Sequence, residues 1–392
     1  YGAPSYVYAD EAGRANARRF KAALAPLDIE ICYAVKANGA LGVVAALVDE
    51  GLGADIVSVG EMARALSAGA APDAVVFSGV GKTEDEMRAA LKAGVRRFNV
   101  ESAEEIETLA AVGRDLGAPA EDALRVNPDV AAGGHEKIST GKAGDKFGVS
   151  IAAAQALWPR LAALDGVAPR GLAVHIGSQI ADPEKFSAAF ERLASLADAL
   201  DAPRPAEIDL GGGFGVDYGG GGAIDLDAYL TVVRRWFGDG RYKLTVEPGR
   251  ALTSNAGILL TRVVRWKEDH GCAFMIVDAA MSDFLRTALY GAEHEVIAAT
   301  DGLEARTGEL VGPVCETADL FRRGAALPDA PPGAVIALCG VGAYGAAMAN
   351  AYNARAIPAE VMVRGAAHAL LRPALDHERM MALERAPDWS QA

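Results

Sequence analysis

A regular alternation of short β-branched runs with helical stretches governs the first 250 residues of this chain. The runs end near Lys36, Val59, Gly79, Glu101, Asn127, Gly177, Gly213 and Gly249. Helical patterns over 43–50, 61–68, 84–93, 103–116, 151–163, 184–200 and 227–236 separate most of them. Strands that alternate with helices run parallel. Eight such units in about 225 residues predict an α/β fold of the (β/α)8, TIM-barrel type. A doubly wound sheet is the alternative, but it needs no particular count, and the number eight favours the barrel.

Outside that frame the pattern differs. Residues 4–8 read as a short strand and 10–24 as a helix. After Arg250, apolar and polar residues mix in short runs at 258–264, 273–277, 294–298, 334–338, 360–363 and 367–371, with few long helical patterns between them. This predicts a separate, mostly antiparallel β domain. The expected division is a barrel over 26–255 and a β domain over 256–392, joined by the N-terminal segment 1–25. Segment 128–147 shows no periodicity and is long for a connection after a barrel strand, so it reads as a lid or a surface loop.

The 392 residues suit about two domains. A formal net charge of −14, with no basic run, makes nucleic acid and anionic membranes poor partners. No apolar run approaches membrane-spanning length, and the opening Tyr-Gly-Ala-Pro-Ser lacks a signal peptide's charge and apolar core. Because the first residue is not Met, a few leading residues are expected before it. Four scattered cysteines, Cys32, Cys272, Cys315 and Cys339, lack any C-x-x-C spacing. That fits free thiols in a reducing cytoplasm better than a disulfide frame or a zinc site.

Barrels of this kind place reactive groups at the C-terminal ends of their strands. The first strand ends in Tyr-Ala-Val-Lys-Ala-Asn, and Lys36 there is either a strand-end lysine reaching water or a partly desolvated amine nucleophile. The second gives Gly60-Glu61, the sixth His175-Ile176-Gly177-Ser178, the seventh Gly211-Gly212-Gly213 and the eighth Glu247-Pro248-Gly249-Arg250. Three glycines after a strand let backbone N–H groups converge on an anion such as a phosphate. Glu247 precedes a proline, which favours extended backbone and so a strand end. A carboxylate there would hold a pyridine nitrogen protonated. His175 would lie flat on an aromatic ring, or equally serve as a core histidine satisfied by backbone. An amine, a phosphate pocket and a carboxylate together describe a site for pyridoxal 5′-phosphate.

The motifs then form an ordered set. They are Tyr-Ala-Val-Lys-Ala-Asn at 33–38, Phe-Ser-Gly-Val-Gly-Lys-Thr at 77–83, Arg-Val-Asn-Pro-Asp at 125–129 and Ser-Thr-Gly-Lys at 139–142. His-Ile-Gly-Ser-Gln at 175–179, Asp-Leu-Gly-Gly-Gly at 209–213 and Glu-Pro-Gly-Arg at 247–250 follow. Asp-Ala-Ala-Met-Ser-Asp at 278–283, Gly-Pro-Val-Cys-Glu-Thr-Ala-Asp at 312–319 and Gly-Ala-Tyr-Gly at 342–345 complete it. In this order and over nearly the whole chain, they resemble the diaminopimelate decarboxylase family of barrel-type (alanine racemase-like, fold type III) pyridoxal phosphate enzymes.

The resemblance implies specific roles. Lys36 would carry the coenzyme as an imine, His175 would stack on its ring, and Glu247 would face its pyridine nitrogen. Ser178, Gly211, Gly212, Gly213, Gly249 and Arg250 would line the cofactor site, with Tyr344 reaching it from the β domain. Arg250, Arg286 and Tyr290 would bind the substrate carboxylate distant from the reacting carbon, a task that guanidinium forks suit. Cys315 would return a proton to Cα, and Glu316 would pair with the distal ammonium. Both would come from the neighbouring subunit of a homodimer. The implied reaction is decarboxylation of meso-2,6-diaminopimelate to L-lysine and CO2, the last step of lysine biosynthesis.

Two positions depart from the pattern: Ala251 where Ser is common, and Thr287 where Pro often follows the substrate arginine. A related decarboxylase or racemase acting on D-lysine, D-ornithine or carboxynorspermidine is the alternative. A catalytically dead binding protein is disfavoured by intact Lys36, Glu247 and Cys315. Gly340-Val341-Gly342-Ala343-Tyr344-Gly345 is formally G-x-G-x-x-G, but fewer than fifty residues follow it, too few for a dinucleotide fold. His135-Glu136 begins like a zinc-protease helix, but Ser139 stands at the second histidine's place.

Overall fold

The computed structural model describes residues 1–130, 140–142, 144–201, 203–219, 222–387 and 389. His135-Glu136 and much of segment 128–147 lie outside the described residues. The described chain divides into two compact units, Glu11–Thr253 and Tyr1–Asp10 with Ser254–Ala392.

The first unit is a closed barrel of eight parallel strands: Glu30–Ala34, Gly53–Ile56, Val75–Phe77, Arg97–Val100, Ala120–Asn127, Val167–Val174, Glu207–Asp209 and Lys243–Val246. Each pairs with the next, and the eighth returns to the first through Thr245 opposite Glu30 and Val246 opposite Ile31. The strands form because their short Val-, Ile- and Phe-containing runs are covered on both faces. The helices that follow begin at capping residues. Ser58, Thr83, Ser102 and Ser150 each accept an N–H from the first turn of the helix that follows, and Asp225 accepts two. Each such cap contributes about 1 kcal/mol, and it fixes where its helix starts.

Residues 11–25, expected with the β domain, lie in the barrel unit. Phe20 on the helix Asp10–Leu24 meets Phe214 edge-on at 5.3 Å. Phe214 also packs on Tyr229 at 4.9 Å and on Phe186 at 6.1 Å. This aromatic cluster anchors the chain immediately after Gly213. Each fully buried ring adds roughly 1.5–3 kcal/mol. The barrel strands also carry buried polar residues, including Asp55, Asn99, Asp122, Asp209 and Thr245, so polar chemistry extends into the barrel wall.

In the second unit the N-terminal strand Ser5–Ala9 lies antiparallel to Gly257–Asp269 and parallel to Ala359–Arg364. Most other pairings are antiparallel; Cys272–Val277 with Ala305–Val311 is parallel. The strands Ala305–Val311 and Leu320–Pro328 fall outside the runs expected from sequence. Val335–Leu338 pairs antiparallel in this sheet and leads to Gly340, and the glycine-rich segment ends in a short 3-10 turn, Ala346–Met348. That is no strand–helix dinucleotide unit.

Candidate active site

Lys36 follows the first barrel strand on the single 3-10 turn Val35–Ala37. Its Nζ lies 2.5 Å from Asp55 Oδ2, at the end of the second strand, and Asp55 is fully buried. The other oxygen of Asp55 has no partner among the described residues. Lys36 also lies close enough to Glu247 and His175 for its charge to act on both. Glu61, expected at the rim, begins a helix, and its carboxylate accepts the Val57 N–H at 2.8 Å.

His175 directly follows the sixth strand. Its Nδ1 accepts the Gly212 N–H at 3.0 Å, which leaves the remaining proton of a neutral ring on Nε2. Burial, then the nearby Arg125 and Lys36 cations, hold its protonation well below the usual imidazole range. A neutral ring with one edge pinned suits stacking on an aromatic coenzyme.

The three glycines are there for want of room. A Cβ on Gly211 would come within 2.2 Å of the Val174 carbonyl, one on Gly212 within 2.2 Å of the Glu247 carbonyl, and one on Gly213 within 2.4 Å of the Gly177 carbonyl. Gly211 and Gly213 also have φ of +67° and +102°. Not all of their N–H groups face an anion, however. Gly211 donates to Asp209 Oδ1 at 2.9 Å and Gly212 to His175. Beside them Arg250, buried, donates to Ser178 Oγ at 3.1 Å and to the Tyr218 hydroxyl at 2.9 Å. The cation, the hydroxyls and the side-chain-free backbone of Gly213 fit a phosphate. Gly249 is small for a packing reason, since a Cβ there would meet those of Ala37 and Ala34 at 2.9 and 3.1 Å.

Glu247 follows the eighth strand and is buried. Its Oε1 accepts from Ser78 Oγ and Asn99 Nδ2, both at 3.2 Å. Burial first, then the neighbouring Asp209 and Asp55 carboxyls, push its pKa well above the usual carboxylate range, while Lys36 opposes them. Asp55, Ser78, Asn99, Asp209 and Tyr218 were not assigned roles from sequence. Asp55 and Asn99 carried one signal, an Asp or Asn inside an apolar strand, which is rare without a function, and Ser78 and Asp209 lie within the motifs at 77–83 and 209–213.

The second unit holds the remaining expected residues. Cys315 and Glu316 are exposed on the loop between Ala305–Val311 and Leu320–Pro328. The Asp319 carboxylate shapes that loop by accepting the N–H groups of Met281 and Val314, both at 2.6 Å. The Tyr352 hydroxyl, also missed from sequence, donates to Glu316 Oε1. Arg286 is buried and starts the helix Arg286–Tyr290, with its guanidinium 5.9 Å from the Tyr290 ring centre. Thr287 is buried beside it, and its hydroxyl has no partner among the described residues. Tyr344 adopts the left-handed region at φ +56°, a strained conformation for a bulky residue that marks a functional candidate.

Comparison with known proteins identifies the family and the fold. Residues 13–254 match the model of the pyridoxal-dependent decarboxylase family, pyridoxal binding domain. A diaminopimelate decarboxylase of Zymomonas mobilis is 44% identical over 396 residues, covering 99% of this chain and 94% of its own. The crystal structure of diaminopimelate decarboxylase from Helicobacter pylori complexed with L-lysine superimposes with a TM-score of 0.94 at 36% identity, covering 98% of this chain and 97% of that one. A lysine/ornithine decarboxylase from Vibrio vulnificus, complexed with putrescine, shares the fold at 22% identity and a TM-score of 0.81, covering 93% of this chain and 95% of that one.

Proposed function

The chain belongs to the diaminopimelate decarboxylase family of pyridoxal-dependent decarboxylases, and from that premise we propose that it converts meso-2,6-diaminopimelate to L-lysine and CO2. The observation that carries the reading is the placement of Lys36: an amine at the barrel rim, paired with buried Asp55 and acting on both Glu247 and His175. The coenzyme, pyridoxal 5′-phosphate, supplies when bound an electron sink for the pair left at Cα as CO2 departs.

The side chains divide the remaining work. Lys36 Nζ holds the coenzyme, and Asp55 orients that amine. Neutral His175 packs flat on the ring. Ser178, Gly213 and Arg250 take the phosphate, with Tyr218 steadying the guanidinium. Glu247 holds a proton at the ring nitrogen. The contact of Arg250 with Ser178 favours the phosphate for that cation, which leaves Arg286, with Tyr290, to bind the distal carboxylate. Tyr344 adds a hydroxyl to the cofactor site. Cys315 Sγ returns a proton to Cα, and Glu316, steadied by Tyr352, pairs with the distal ammonium. The exposure of Cys315 and Glu316 supports a homodimer in which each subunit donates them to its neighbour.

No described helix is long and apolar enough to cross a membrane. All four cysteines are free, which supports a cytoplasmic setting. A substrate panel tests the assignment. Gas evolution and product chirality are followed with meso-diaminopimelate, D-lysine, D-ornithine and carboxynorspermidine. Turnover confined to meso-diaminopimelate, with L-lysine as product, is expected; preference for any other member contradicts the reading.

A further inference from the structure

Behind Glu247 lies a second carboxyl with no part in the scheme above. Asp209 is buried at the end of the seventh barrel strand, and its carboxyl and that of Glu247 are drawn together on one donor, where the proximity of Asp209 raises the proton affinity of Glu247. Two buried carboxyls held this close favour the state in which one of them carries a proton. One amide reaches both: Asn99 Nδ2 lies 2.9 Å from Asp209 Oδ2 and 3.2 Å from Glu247 Oε1, and 3.1 Å from Ser78 Oγ as well. Two amide hydrogens thus face three acceptors.

The donors are divided unequally. Asp209 has the Gly211 N–H on one oxygen and the shorter Asn99 contact on the other. Glu247 shares Asn99 at longer range and takes the Ser78 hydroxyl. The better-solvated carboxyl is Asp209, so it is the one that ionises, and Glu247 keeps the proton.

We propose that Asp209 is a positioning residue of the coenzyme site: the Asp209–Glu247 pair stores one proton in the coenzyme-free barrel, and Glu247 passes it to the coenzyme's ring nitrogen on binding. The idea rests on the assignment of Glu247 to the ring nitrogen. In the transfer the Glu247 O–H bond breaks and a ring N–H bond forms, with no electrons gained or lost. The pair goes from one negative charge to two as the ring gains one positive charge.

The charges facing the pair come from several strands. Asp55 adds to the negative field on both carboxyls, and Lys36 opposes it at Glu247. Arg97 feels Asp209, and the fully buried Cys32 thiol and Tyr229 hydroxyl lie within its field. Both carboxyls titrate above the usual range, with burial the first cause in each. Two buried carboxylates facing one ring cation hold its proton more tightly than Glu247 alone would. That retention keeps the ring an effective electron sink at neutral and alkaline pH.

The test reads the ring nitrogen itself. The holoenzyme is loaded with ring-15N coenzyme, fixed on Lys36 by borohydride, and followed by NMR against pH, so turnover plays no part. Asp209→Asn is expected to lower the pH of ring deprotonation by about one unit or more, a tenfold loss of proton affinity. Glu247→Gln is expected to lower it further. If Glu247→Gln leaves the titration at the wild-type value, the Glu247 assignment itself fails. If Glu247→Gln shifts it and Asp209→Asn does not, the present inference is overturned. A difference infrared spectrum of the wild type, coenzyme-free against loaded, needs no variant. Loss of one protonated-carboxyl band on loading is expected, and an unchanged carboxyl region contradicts the stored proton.

Discussion

Lys36 Nζ lies 2.5 Å from Asp55 Oδ2, and Asp55 is fully buried at the end of the adjacent strand. The pair fixes the direction of the amine from which the proposed chemistry starts. Asp55→Ala removes that guide and leaves Lys36 with more freedom. Turnover is expected to fall by about tenfold or more, while the coenzyme stays attached to Lys36. Rate and visible absorbance, measured together, check this; an unchanged rate would show that the contact does not matter to catalysis.

Cys315 is exposed on its loop, and Asp319 holds that loop through two backbone N–H groups. Cys315→Ala is expected to slow product formation about a hundredfold, in line with the loss of a positioned proton donor, with coenzyme content unchanged. Mixing this variant with Lys36→Ala tests sharing between subunits. Partial recovery of activity after subunit exchange is expected, and no recovery would place both groups in one chain's own site.

Asp122 lies on the fifth barrel strand with neither oxygen partnered among the described residues, and burial raises its pKa from 3.8 to about 7. Between those values the folded protein binds more protons than the unfolded one. Stability should therefore fall as pH rises from about 4 to about 7 and stay at the lower level above that. The share due to this group is at most about 4 kcal/mol. Asp122→Asn cannot ionise, so denaturant titrations across that range should show a flatter pH dependence. A slope equal to that of the wild type would mean that Asp122 is not the titrating group.

Gly212 and Gly81 make a matched pair. A Cβ on Gly212 would lie 2.2 Å from the Glu247 carbonyl, whereas one on Gly81 meets nothing within 4 Å. Gly212→Ala should cost roughly 2 kcal/mol or more and weaken coenzyme binding by displacing Glu247. Gly81→Ala should change neither. Thermal melts and coenzyme titrations read both effects, and equal behaviour of the two variants would contradict the packing argument.

The legibility of this chain follows physical lines. The eight barrel strands were readable because each is short, β-branched and covered on both faces. The positions of Lys36, His175 and Glu247 just after barrel strands were readable because such strands end where the apolar runs end. The strands Ala305–Val311 and Leu320–Pro328 were missed because little of them is buried: Gly308, Leu310, Phe321 and Leu327 are, while arginines and small residues fill much of the rest. Asp55, Asn99 and Asp209 were missed as partners because a lone polar residue in a strand has no spacing to betray what it faces. Three glycines in a row suggested an anion cradle, whereas two of their N–H groups serve Asp209 and His175 instead. The packing of neighbouring carbonyls explains why those positions are glycine.

The central claim is that Lys36 holds the coenzyme on which the decarboxylation runs. The direct measurement is borohydride reduction of the purified, pyridoxal phosphate-loaded protein, followed by peptide mapping by mass spectrometry. The account predicts one added coenzyme mass per chain, on the peptide containing Lys36, and none in Lys36→Ala. Label on another lysine, or full labelling of the Lys36→Ala variant, would contradict it.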